Sequence, residues 1–290
     1  MRCACIDIGS NTTRVLVADV AGDRLEAVLQ ERAFTRIGRR LAADGTIPPD
    51  TIEHVAAVVE AQIATARAAG AERMKVVATA AIRAAANETA LLAALRARTG
   101  HDTVVLSGED EARLAFCGAT LMMATPPSGR IAVVDVGGGS TEVAVGSVDG
   151  GVEWASSFPV GSSSLADRCT SDPPDRAALA VMREHADAGF AGLHAPPADQ
   201  AVAVGGSAAS LPTLVGRLLD ADARERALAV LASAPAADVA RRYGLDPERV
   251  QLLPAGILVL DAAARRLGRP MQIGRGGLRE GVVLELAKIS

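Results

Sequence analysis

Apolar positions along the chain recur with a two-residue period in some stretches and a helical period in others, the alternation of an α/β protein. Apolar, β-branched runs at 2–8 and 13–20 predict a first strand pair, and a third strand-like segment comes next at 24–33. "TIEHVAAVVEAQIATARAA" (51–69) keeps its apolar residues on one helical face and stops at Gly70, a residue suited to a helix C-terminus. A buried strand is expected at 74–80, a helix at 84–98, a strand at 102–106 and a helix at 108–123. "ATPPSGR" (124–130) breaks both periods and marks the expected boundary, giving domains 1–126 and 127–290. Beyond it the pattern predicts a strand pair within 131–150, a strand at 152–158, a helix from about 175 to 192 and a strand at 201–205. Helices at 235–243 and 247–267, a short strand at 271–274 and a last helix from about 277 complete the chain, with Pro254 expected to kink or split the long helix.

Two of these segments are copies of one another. "CIDIGSNTTRVLV" (5–17) and "IAVVDVGGGSTEVAVG" (131–146) superpose Asp7 on Asp135, Gly9 on Gly137, Thr12 on Ser140, Thr13 on Thr141 and Val15 on Val143. Each is a strand, a small-residue turn and a strand. Glycines and hydroxyl residues in a tight turn let backbone N–H groups converge on one concavity and let a phosphate approach the main chain. Each aspartate ends an apolar strand, where an unpaired carboxylate is costly and a bound cation is one solution. Mg²⁺ commonly uses one or two carboxylates with substrate phosphates and water. If the two halves face each other, the turns would grip a phosphate chain from opposite sides.

A third Gly-rich element, "AVAVGGSAASL" (201–211), runs from a strand through Gly205, Gly206 and Ser207 into an expected helix, an order that suits a phosphate group. It does not match the G-x-G-x-x-G fingerprint, which disfavours NAD or FAD. In "LSGEDEARLAFCG" (106–118), Ser107 and Asp110 make a capping-box-like helix start, and Glu109, Asp110 and Glu111 suit the positive end of the helix dipole. A carboxylate there is also well placed to orient a water molecule.

Charge and composition narrow the function classes. A net charge of −4 and a pI near 5.7 argue against a general nucleic-acid binder, which needs a basic face. With aromatics at 2% of residues, base-stacking platforms are lacking too. Only Lys75 and Lys288 are lysines, so positive charge is nearly all arginine. The four cysteines have no metal-type spacing, and the four histidines lack a partner motif. No signal-peptide pattern opens the chain and no apolar run is long enough to span a bilayer, so a cytoplasmic protein without a membrane partner is expected.

The ordered stretches "DIGSNTTRVLV", "ATAAIRAAAN" (78–87), "SGEDEARLAFCG", "VVDVGGGSTEVAVG", "FPVGSSSL" (158–165), "AVGGSAASL" and "GGLREGVV" (276–283) resemble the exopolyphosphatase / guanosine pentaphosphate phosphatase family. That family belongs to the actin, sugar-kinase and heat-shock-ATPase superfamily. The resemblance covers essentially the whole chain. It implies two ribonuclease-H-like (actin-like ATPase) α/β domains with an interdomain cleft, and hydrolysis of a terminal phosphoanhydride with release of inorganic phosphate. Mg²⁺ or another divalent cation is the implied cofactor, with Asp7 and Asp135 as its carboxylates. Glu111 takes the position of the catalytic glutamate. Ser10, Asn11, Thr12, Gly137, Gly138, Gly139, Ser140 and Thr141 would form the phosphate-holding turns, joined by Gly205, Gly206 and Ser207. Arg83 would be the positive group facing the substrate.

Two departures bear on the substrate. Long family members continue into helical domains that supply a basic channel, whereas this chain stops after LREG and one helix. "PERVQLLPAG" (247–256) also lacks the arginine–alanine–aspartate pattern expected before that helix. Short polyphosphate and guanosine pentaphosphate are therefore the expected partners, with a homodimer compatible with the sequence. Two rival readings stand beside this one: an ATP-dependent small-molecule kinase of the same superfamily, and a non-catalytic alarmone or nucleotide sensor.

Overall fold

The computed structural model describes residues 1–123, 127–169 and 171–288. Its contacts divide the chain into two compact units, Met1–Met122 with Gly276–Ser290, and Met123–Arg275. The expected second domain, 127–290, thus differs at its end, because the described residues from 276 to 288 pack with the first unit. Residues 124–126 of the expected linker lie outside the described residues.

The first unit runs β1 (Arg2–Ile8), β2 (Thr12–Ala21), β3 (Arg24–Phe34), α1 (Ile37–Arg40), α2 (Pro49–Ala68), β4 (Arg73–Ala78), α3 (Ala80–Arg83), α4 (Glu88–Thr99), β5 (Thr103–Val105) and α5 (Gly108–Leu121). Its sheet order is β3-β2-β1-β4-β5, an antiparallel meander extended by parallel β4 and β5. Alternation along β1 splits the unit's apolar residues between two layers. Ala4, Ile6 and Ile8 pack with Val55, Val59, Leu91 and Leu95 of α2 and α4, while Cys3 and Cys5 pack with Leu16, Val77 and Leu114 on the opposite face. The expected helix 84–98 starts only at Glu88, because Asn87 spends its side chain bonding the main chain of Ile47 at 2.7 and 3.0 Å.

The second unit repeats this plan: β6 (Ile131–Val136), β7 (Thr141–Ser147), β8 (Gly151–Phe158), α6 (Ser162–Ala166), α7 (Arg176–Gly189), β9 (Gln200–Val204), α8 (Gly205–Ala208), α9 (Pro212–Val215), β10 (Leu218–Leu219), α10 (Ala221–Ala232), α11 (Ala236–Tyr243), α12 (Pro247–Leu267) and β11 (Met271–Ile273). Its sheet order is β10-β11-β9-β6-β7-β8, with the meander β8-β7-β6 again extended by parallel strands, β9 and β11, and closed by antiparallel β10. The duplication read in the turns therefore extends to sheet topology.

α12 continues through Pro254 as one helix, so the expected split does not occur. It is buried over most of its length and carries Asp261 into a cluster of guanidinium groups. Asp261 receives Arg224 of α10 at 2.8 Å, Arg183 of α7 at 2.7 Å and Arg265 at 3.2 Å. That cluster holds α10, a helix missing from the sequence expectation although Asp220 caps it by accepting from the Ala223 N–H at 2.8 Å. Among the described residues no helix is long and apolar enough to cross a membrane.

The chain then re-enters the first unit as α13 (Leu278–Lys288), whose Val282, Val283 and Leu286 complete the layer begun by Cys3 and Cys5. α13 crosses α5 at main-chain distance. A Cβ on Gly118 would stand 2.0 Å from the Gly277 carbonyl oxygen, and one on Gly281 would stand 2.1 Å from that of Leu114. Glycine at both positions lets the LREG segment close over the helix that carries Glu111. Gly118→Ala is expected to cost at least the ~1–3 kcal/mol of an overpacked core, read as a lower midpoint in thermal unfolding. Gly192→Ala, where an added Cβ meets nothing within 4 Å, should leave the midpoint within about 0.5 kcal/mol of wild type.

Candidate functional site

Each unit ends its central strand in the same turn. The Gly9 N–H donates to the Thr12 carbonyl at 3.0 Å, and the Gly137 N–H donates to that of Ser140 at the same distance. The segment leaving the third strand then takes up the turn's carbonyls from behind. In the first unit Gly38 N–H bonds Ser10 O at 2.8 Å and Arg36 N–H bonds Asn11 O at 2.9 Å. In the second, Ser162 N–H bonds Gly137 O at 2.9 Å, and the N–H groups of Ser163 and Ser164 bond Gly138 O at 2.8 and 3.0 Å. With the carbonyls held, the N–H groups of Ser10, Asn11, Gly138 and Gly139 have no protein acceptor among the described residues. Unpaired donors at matching positions of two turns are an anion-binding arrangement.

Buried hydroxyls brace both turns. Thr13 Oγ1 lies 3.1 Å from Thr35 Oγ1, and Thr141 Oγ1 donates to the Val160 carbonyl at 2.6 Å. Thr141 is fully buried and its hydroxyl is committed, so it supports the turn rather than lining it. Ser10, Thr12 and Ser140 are also largely buried, and Thr12 Oγ1 accepts from Arg14 Nε at 3.0 Å. Arg36, held in the turn's brace, has φ of 50°, and no other non-glycine residue among those described has a positive φ.

The aspartates meet different neighbours. Register sets Arg14 across from Asp7 but Glu142 across from Asp135, and directly paired residues share a face of the sheet. Asp7 Oδ1 is buried without a hydrogen bond. Burial pushes the Asp7 carboxyl above its ordinary range, against the pull of the Arg14 and Arg279 guanidinium groups, and the Glu280 carboxylate adds to the rise. Glu280, on α13, is itself only 7% exposed. Sequence reasoning misses Arg14, Glu142 and Glu280 as site residues. The signal for Arg14 and Glu142 is their shared offset from the aligned aspartates, and for Glu280 it is the LREG stretch.

The third Gly-rich element comes to Asp135. Gly205 has φ of +90°, and a Cβ there would lie 2.5 Å from Asp135 Oδ1. β9 runs into the expected helix, which is the single turn α8 (Gly205–Ala208). Gly206 is the second residue of that turn, and Ser207 is fully buried, its hydroxyl enclosed at the Gly256 backbone of α12.

Arg83 and Glu111 are brought together. Ser107 caps α5 by accepting from the Asp110 N–H at 3.1 Å, as its spacing predicts, and this sets Glu111 in the first turn, only 5% exposed. Arg83 ends α3, and its Nη1 donates to Glu111 Oε1 and, at 2.6 Å, to the Leu106 carbonyl. The arginine expected to face the substrate therefore holds the expected catalytic carboxylate.

An Asp7→Asn variant should be more heat-stable than wild type at neutral pH. A carboxyl whose folded-state pKa is raised has its stabilising balance below the unfolded pKa and loses it as pH rises through the folded value. The midpoint should rise by about 2–4 °C for each ~1 kcal/mol recovered, and the gain should vanish in scans below about pH 4, where both states carry a protonated Asp7.

The chain matches the model of the Ppx/GppA phosphatase family over residues 15–289. It is 31% identical over 303 residues to Exopolyphosphatase 1 of Mycobacterium tuberculosis, covering 98% of this chain and 88% of that protein. It is 28% identical over 320 residues to Exopolyphosphatase 2 of the same organism, covering 99% of this chain and 98% of the other. The crystal structure of the Aquifex aeolicus Ppx/GppA family member superposes with a TM-score of 0.82 at 27% identity, covering 99% and 98% of the two chains. An exopolyphosphatase from Cytophaga hutchinsonii, at 20% identity, shares the fold with a TM-score of 0.85 over 100% and 99%. With its duplicated turns and meander-plus-parallel sheets, this chain belongs to the Ppx/GppA phosphatase family.

Proposed function

We propose that this protein hydrolyses the terminal phosphoanhydride of polyphosphate, with short chains and guanosine pentaphosphate as substrates, and releases inorganic phosphate. The observation that carries this reading is the pair of matching turns with N–H groups unclaimed by protein acceptors among the described residues. Phosphoryl transfer asks the protein for positioning and charge neutralisation more than for covalent help. In this reading the N–H groups of Ser10 and Asn11, and of Gly138 and Gly139, hold non-bridging phosphate oxygens. Glu111, held by Arg83, orients the attacking water and accepts its proton. Arg14 brings positive charge to the phosphates.

A divalent cation fits the residues present. Asp135 and Glu142 are two carboxylates on one face of adjacent strands, and Gly205 leaves room at Asp135 Oδ1. In the first unit, Asp7 carries an oxygen without a hydrogen-bond partner. Among the described residues no group of three or more such side chains is assembled to hold a metal by itself, which matches the habit of Mg²⁺ of sharing its ligands with phosphate and water. When bound, the cation would neutralise phosphate charge. Four unpaired cysteines suit a cytoplasmic site of action.

Phosphate release with Mg²⁺ from short polyphosphate, long polyphosphate, guanosine pentaphosphate and ATP tests the proposal. Release from short polyphosphate or guanosine pentaphosphate is expected, falling on the order of 10²–10⁴-fold in Glu111→Gln, the range of a lost general base. Alarmone binding with no release from any of the four would make the protein a sensor. ADP formation that depends on an added acceptor would make it a kinase.

A further inference from the structure

We infer that Arg83 is a positioning residue for Glu111, acting on the reaction through that carboxylate. The inference rests on the hydrolase reading above and on one constellation of hydrogen bonds. Arg83 Nη1 is shared between Glu111 Oε1 and the Leu106 carbonyl oxygen, the latter at 2.6 Å. The carbonyl belongs to the residue just after β5, and Arg83 itself is fixed through its own N–H to Thr79 O at 3.1 Å, at the end of β4. Arg83 is thus tied to the ends of two strands, by its backbone N–H at one and by its guanidinium group at the other. It transmits that rigidity to a side chain which stands on another element, 28 residues further along the chain.

This contact has two physical consequences. A carboxylate only 5% exposed is costly to bury without a cation beside it, and Arg83 Nη1 sets that charge against Glu111. By engaging Oε1, the guanidinium also restrains the rotation of the carboxyl group. A general base works only within hydrogen-bond reach of the proton it takes, so this orientation is part of the catalytic geometry. Lysine is not equivalent here: it would offer an ammonium on a flexible stem in place of the one nitrogen, Nη1, that a rigid planar guanidinium sets between the carbonyl and the carboxylate.

The link predicts a pattern in a double-mutant cycle read by phosphate release from short polyphosphate with Mg²⁺. Arg83→Lys keeps the positive charge and should lower kcat on the order of 10²-fold, the cost of misplacing a reacting group by about 1 Å, with KM moving much less. Arg83→Gln should lower kcat at least as far. The decisive variant is Arg83→Lys/Glu111→Gln, expected to be no slower than Glu111→Gln alone, since Arg83 has nothing left to position. Thermal midpoints of all four proteins separate this from a folding defect. Losses that multiply in the double variant, or an Arg83→Lys effect confined to KM, would overturn the link while leaving the hydrolase reading intact. A Glu111→Gln protein at wild-type kcat would overturn the link and the base role of Glu111, whereas a wild-type protein that releases no phosphate would overturn the hydrolase reading itself.

Discussion

The organising constraint of this molecule is the need to satisfy backbone carbonyls at a turn while leaving its N–H groups for something else. A buried turn normally pairs both. Here the chain leaving the third strand of each meander returns to take the carbonyls, through Gly38 and Arg36 in one unit and through Ser162, Ser163 and Ser164 in the other. Much else depends on that return. The third strand must be adjacent to the second, the next segment must turn back sharply, and a buried threonine must fix the turn from below.

The two copies have the same scaffold and opposite electrostatics. Arg14 faces Asp7, whereas Glu142 faces Asp135. A neighbouring arginine favours the charged form of a carboxylate, while a neighbouring carboxylate disfavours it. The two turns thus share a geometry, while one register position sets opposite charges beside their aspartates.

Close packing of backbones positions the rest of the first unit's chemistry. α13 reaches α5 only because Gly118 and Gly281 have no side chains, and this brings Arg279 and Glu280 toward Asp7. The buried carboxyl of Asp7 is held at a cost to stability.

Periodicity and turn chemistry by themselves determined the α/β class, most of the elements, the duplication and the cap on α5, because each of these depends on residues near in sequence. The Asp7/Asp135 alignment was legible for the same reason: both copies obey one local rule. Tertiary structure decided what depends on distant partners. Short turns such as α6, α8 and α9 carry too few residues to show a period, and the capped helix α10 is held by the distant charge of Asp261. Pro254 stays inside a helix because the surrounding core holds α12 together. The return of α13 to the first unit, the commitment of Thr141 to Val160, and the contact of Arg83 with Glu111 join residues whose separation in the chain carries no periodic signal. Local sequence prescribes conformation, but only folding sets which charges meet.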